Sequence, residues 1–192
     1  MTRLSSSSRL AVALVGLLLA SGCTLKVAQG NPRPNIDLPE TKAGMKLVMD
    51  DAVQNSFEVP SRGGINKGEV EQWRETLQRG FQNGFSGAFK TDAESPELTL
   101  QLMEVALEFA PTAVTHEGVA AAAEAQIRYK ARLVDAQGNV VRRSTGTVAS
   151  KRSITRANEV TLVSESAVES MYEKIAEDFF SSSGATAADT VK

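Results

Sequence analysis

The 192-residue sequence has one cysteine, one histidine and one tryptophan. A single cysteine excludes an intramolecular disulfide, so stability must come from packing and hydrogen bonds. The lone histidine, His116, has no nucleophile beside it and no further ligands at metal-binding spacing, and reads as an exposed loop residue. Strong charge of one sign is missing too: 21 basic residues face 23 acidic ones, a net of −2. That balance argues against a nucleic-acid binder, which would usually be strongly basic. There is no internal repeat and no membrane-length apolar run. Leu10–Ala20 has eleven residues, roughly 16 Å of helix against a hydrocarbon core near 30 Å. It is too short to cross.

What stands around that run is informative. Arg3 and Arg9 precede it, Ser21 and Gly22 follow it, and then comes Cys23. This is the order of a secretory signal: a positive start, a short apolar segment and a small-residue cleavage site. A thiol directly after the small residues can be alkylated by a diacylglyceryl donor before cleavage. The stretch Leu19-Ala20-Ser21-Gly22-Cys23 resembles the lipobox of bacterial lipoproteins, with Ala20 where that family most often has leucine. The resemblance implies that residues 1–22 are a signal peptide and that Cys23 becomes the lipid-bearing first residue. The remaining 170 residues would carry 19 basic and 23 acidic side chains, a net of −4. Two or three acyl chains, as such lipoproteins carry, would give a firm peripheral anchor without a spanning helix. Thr24 stands where an aspartate commonly retains these proteins in the inner membrane. The resemblance therefore implies the outer membrane, facing the periplasm.

Residues 23–44 hold Pro32, Pro34 and Pro39 and few large apolar side chains. They read as an extended, lipidated tether able to hold a domain up to about 60 Å from the lipid. One domain is expected over 45–182 and a disordered polar tail over 183–192. Within the domain, Met45–Met49 is a short strand and Phe57–Val59 a second extended piece. Asn66 and Glu69 are read as a capping box opening a helix whose apolar stripe is Val70, Trp73, Leu77, Phe81, Phe85 and Ala88. Gly80 and Gly84 lie on the same side, tolerable where they allow close backbone approach.

Leu98, Leu100 and Leu102 alternate as a strand. Met103, Val105, Leu107 and Phe109 continue in the opposite phase, which suggests a β-bulge or a stretch buried on both faces. Ala123, Ala125, Ile127, Tyr129, Ala131 and Leu133 line one face of the next strand, and Glu124, Gln126, Arg128, Lys130 and Arg132 the other. A turn at Asp135–Asn139, with Gly138 for positive φ, leads into a more polar edge strand from Val140. A second helix, from Asn158 or Thr161 to Phe180, has Val160, Val163, Ala167, Met171, Ile175 and Phe179 as its inner stripe.

The order β-α-β-β-β-α predicts a two-layer α+β domain, with an antiparallel sheet of about four strands and two helices on one face. That element order is similar to the LptE-like lipopolysaccharide-assembly lipoproteins, the YajG-like lipoproteins and the auxiliary lipoproteins of envelope lipid transporters. Beyond Cys23 the likeness carries no residue-level motif.

No constellation for catalysis or for a metal is visible, and no cofactor is expected. Asp50-Asp51 reads as charge at a strand end, since a third ligand is missing. The loop Arg62–Gly68 lacks the glycine-lysine-serine/threonine ending of a phosphate loop and reads as a turn and cap. Charge is biased in one place. From Arg128 to Arg156 there are eight basic residues and a single acid, Asp135. Arg128, Lys130, Arg132, Arg142 and Arg143 are the candidate surface for anionic lipid, lipopolysaccharide phosphates or an acidic envelope partner. The competing reading is that Glu104, Glu108 and Glu124 neutralise this face across strands. The sequence therefore points to a non-enzymatic, lipid-anchored binding or assembly accessory. The alternative is a lipid or lipopolysaccharide transport auxiliary with an apolar groove between sheet and helices.

Overall fold

The computed structural model describes residues 25–59, 68–114, 120–153 and 159–181. Cys23, His116 and Arg156, the expected signal peptide over 1–22, residues 62–67 of the expected turn and cap, and the expected tail over 183–192 lie outside them. In chain order the strands are β1 (Leu25–Val27), β2 (Met45–Met49), β3 (Phe57–Val59), β4 (Gly68–Val70), β5 (Leu98–Val114), β6 (Ala120–Asp135) and β7 (Val140–Ser153). The helices are α1 (Trp73–Phe85) and α2 (Val160–Phe180).

The long alternating stretches form the main sheet, in the order β2-β5-β6-β7. Leu100, Leu102, Val105 and Leu107 of β5 and Ala125, Ile127, Tyr129 and Leu133 of β6 are buried on one face. Both helices lie against that face. The inner stripe of α2 is buried from Val160 to Phe179, as is that of α1 from Trp73 to Phe85. The domain is thus α+β. The phase flip after Leu102 is a bulge: Leu102 pairs with Ala131 and Glu104 with Lys130, and Met103 is skipped. The Asp135–Asn139 turn forms with Gly138 at φ 87°.

Three expectations are corrected. The main sheet is mixed, because β2 runs parallel to β5 while β5, β6 and β7 are antiparallel. A second, three-stranded sheet of order β1-β4-β3 is also present. The capping box at Asn66 and Glu69 does not open the helix, since Glu69 lies in β4, paired with Lys26 and Glu58. The start of α1 is held from outside: Asn55 accepts the Trp73 N–H through its carbonyl (2.8 Å) and the Arg74 N–H through Oδ1 (3.0 Å). These bonds supply partners for helix N–H groups that have none within the helix.

The third correction concerns the tether. Its described part is extended, but it is docked on the domain rather than spanning free space. After β1, alternate residues turn inward: Gly30, Pro32 and Pro34 are buried, and Ile36 and Leu38 pack against the core. The strap lies between the two helices. On one side Gly30 N–H donates to Thr76 Oγ1 (3.0 Å) and Asn83 Nδ2 to the Pro32 carbonyl (2.8 Å). On the other, the N–H groups of Asn31, Arg33 and Asn35 donate to Glu165, Glu169 and Glu173 at 2.6, 2.8 and 2.8 Å. Two residues of extended proline-rich chain advance about 6.2 Å, and four helical residues about 6.0 Å. The ladder therefore stays in step over three rungs. Proline, which has no N–H, occupies the alternate positions that need no acceptor. Gly84 lets the strap approach, since a Cβ there would lie 2.9 Å from Ile36 Cδ1 and 3.1 Å from Pro34 Cγ.

Candidate binding surface

The face of the main sheet turned away from the helices is the surface on which the charged residues of β5, β6 and β7 meet. Alternation fixes its members. Arg128, Lys130 and Arg132 lie on it because Ile127, Tyr129, Ala131 and Leu133 are buried on the other side. Register then sets their neighbours. Lys130 stands opposite Glu104 and forms an ion pair at 2.6 Å, and Arg128 reaches Glu108 diagonally at 2.7 Å. Arg132 faces Gln101, and its Nε donates to Oε1 at 2.5 Å. The Glu104 carboxyl is held below its ordinary range, first by the hydrogen bond from Lys130 and then by the positive charges of Lys130 and Arg128.

The five basic residues do not form one patch. Arg143 is opposite Arg132 in register and shares its face, whereas Arg142 is opposite Leu133 and points to the helix side. Two of the three cations on β6 are matched by glutamates across the strand pair. What stays open is the far edge of β7. Arg142, Arg143, Lys151 and Arg152 form no ion pair among the described residues. Lys151 stands opposite Glu124 in register without reaching it.

The other candidates resolve into structure. Asp50 closes β2: its N–H donates to the Leu102 carbonyl (2.9 Å), and its Oδ1 accepts the Ala52 N–H (3.1 Å). Among the described residues no group of three His, Cys, Asp or Glu stands close enough to hold a metal. Ala123, Ala125 and Ala131 of β6 do not line an open groove, because they are buried in the same core as Val163, Ala167 and Met171 of α2. A cleft of about 180 Å³ lies elsewhere, lined by Ala52, Gln54, Phe57, Val105 and Leu107. Glu165, Glu169 and Glu173, which hold the strap, were not expected to have a role. Their signal was a four-residue spacing on one helix, matched by Asn31-Pro32-Arg33-Pro34-Asn35.

No family model matches the sequence, and no curated protein matches it. Among solved structures the fold is similar to a DUF330-family protein of Xanthomonas campestris: TM-score 0.56, 17% identity, 79% of this chain and 91% of that one. It also aligns with a minor lipoprotein of Acinetobacter baumannii (TM-score 0.44, 11% identity, 73% and 92% of the two chains). A lipoprotein B of Nitrosomonas europaea aligns at TM-score 0.42 and 15% identity, over 76% and 88%. At these identities the likeness to the Xanthomonas protein is one of fold.

Proposed function

We propose that this protein is a non-enzymatic, lipid-anchored accessory of the bacterial envelope. It is held by acylated Cys23 at the outer membrane, faces the periplasm and binds or helps to assemble an envelope partner. The observation that carries the reading is the place of Cys23 in the chain. A lipobox-like stretch ends there, and β1 begins two residues later at Leu25, already paired with Gly68 of β4. Two residues reach at most about 7 Å. An acyl group on Cys23 would therefore seat the β1-β4-β3 end of the body against the bilayer, where a 60 Å spacer was expected.

The test is direct. Radiolabelled palmitate should be found on the processed protein, and Cys23→Ser should release it unlabelled from the membrane fraction. An unlabelled, soluble wild-type product overturns the anchor. Native mass spectrometry after mild extraction should show a protein partner. Co-purified lipid in its place would favour a transport auxiliary.

A further inference from the structure

We infer that the free edge of β7 is a docking site for an extended segment of another protein. That segment adds to the sheet as a fifth strand and bears acidic residues at both ends of its paired stretch. An edge strand turns every other N–H and C=O away from its sheet, a ready template for a further strand. The two edges of this sheet differ. β2 is five residues long and is stopped by the Asp50 turn, whereas β7 runs for 14 residues. Native edges are ordinarily blunted by shortness, proline, bulges or charge along the strand. β7 has no proline, and its single register shift falls at its start, between Leu133 and Val134 of the partner strand. α2 covers its inner face, and among the described residues no strand pairs beyond it in the sheet.

The side chains say what kind of strand fits. Ser144-Thr145-Gly146-Thr147-Val148-Ala149-Ser150 is uncharged, so the middle of the edge is open to pairing. Basic residues bracket it, Arg142 and Arg143 at one end and Lys151 and Arg152 at the other, and β7 contains no acid. Adjacent residues point to opposite faces, so each end carries one cation on either side of the sheet. A second copy of this chain does not fit. Antiparallel self-pairing centred on the neutral run would set Arg142 and Arg143 against Arg152 and Lys151, and in-register parallel pairing would set each against itself. Like charges directly opposite are destabilising. An acidic-bracketed strand meets the same geometry with complementary charge.

The inference rests on the accessory reading for the existence of a protein partner, but not on the lipid. The test uses the full chain in detergent micelles and a synthetic peptide of alternating threonine and valine flanked by aspartate pairs. The peptide should slow amide hydrogen exchange along Val140–Ser153 alone. The same peptide flanked by lysine pairs should bind roughly tenfold more weakly, the scale of a few exposed charge contacts. Replacing Arg142, Arg143, Lys151 and Arg152 by glutamate should reverse that preference, a gain that a misfolded variant does not give. Equal binding of both peptides, protection elsewhere, or binding to phosphatidylglycerol vesicles without protection of β7 overturns the inference. A palmitate-bearing chain that fails here loses only the docking edge. An unacylated chain that passes loses only the anchor.

Discussion

The two faces of the main sheet are built from alternate residues of the same strands, and they do different work. On the inner face Leu100, Leu102, Ile127 and Tyr129 are all but inaccessible and share one core with the buried stripes of both helices. On the outer face Lys130 and Glu104 keep 60% and 43% of their side-chain surface exposed even while paired. Burial makes the first set expensive to change, and solvent screening makes the second cheap. The lesson is that stability and recognition can be altered independently in this fold, one residue apart along a strand.

The largest effect is expected of Leu102→Ala. Leu102 is 0% exposed, so the lost burial and the residual cavity should cost about 2–5 kcal/mol, read as a fall in the urea midpoint. A much smaller loss would mean that the helices close over the gap.

Tyr172 tests the same core by pH. It is fully buried, donates to the Leu77 carbonyl at 2.8 Å, and has its phenol pushed above the ordinary range by burial. The unfolded phenol ionises near pH 10. Stability should therefore be intact below that pH and decline as pH rises above it, because the folded state resists ionisation. Tyr172→Phe should flatten the alkaline slope and cost about 1 kcal/mol at neutral pH. Tyr129, also raised by burial, keeps a residual slope.

Between the two faces in expected effect stands the strap. Changing Glu165, Glu169 and Glu173 together to alanine removes three acceptors and should cost about 1–2 kcal/mol in all, since the bonds are exposed. The diagnostic reading is faster hydrogen exchange at Asn31, Arg33 and Asn35 with the sheet amides unchanged. The smallest effect belongs to the outer face. Lys130→Ala should leave the melting temperature at neutral pH nearly unchanged. It should also weaken the loss of stability on acidification, because Glu104, now held low by Lys130, contributes above the ordinary carboxylate range and loses that contribution as pH falls through it. A large loss at neutral pH would contradict the contrast between the faces.

Local patterns were legible where one interaction range governed them. The stripes of both helices, the alternation of β5 and β6, the bulge at Met103 and the Gly138 turn are set by residues within a few positions of one another. The direction of β2 was not, because a five-residue strand is satisfied by either orientation and only its partner 53 residues on decides. Three-residue strands such as β1 and β4 are too short to display a period. The start of α1 is not marked locally because its first N–H groups are taken by Asn55, outside the helix sequence. For the candidate surface, alternation placed Arg128, Lys130 and Arg132 together. The competing reading, neutralisation by Glu104, Glu108 and Glu124, holds for the first two, and which cation each reaches depends on register shifted by the bulge. The docking of the strap has no local signal because its partners are 134 to 138 residues away.

The near-equal pitch of strap and helix makes the fit a matter of parity. Inserting two residues between Val27 and Gly30 leaves odd-numbered amides aimed at carboxylates, or slides the whole segment by one rung. Inserting one residue inverts the sequence of inward and outward positions, so that proline would meet a glutamate and an amide would meet the apolar floor. Length changes in this segment should therefore be tolerated in even steps and rejected in odd ones.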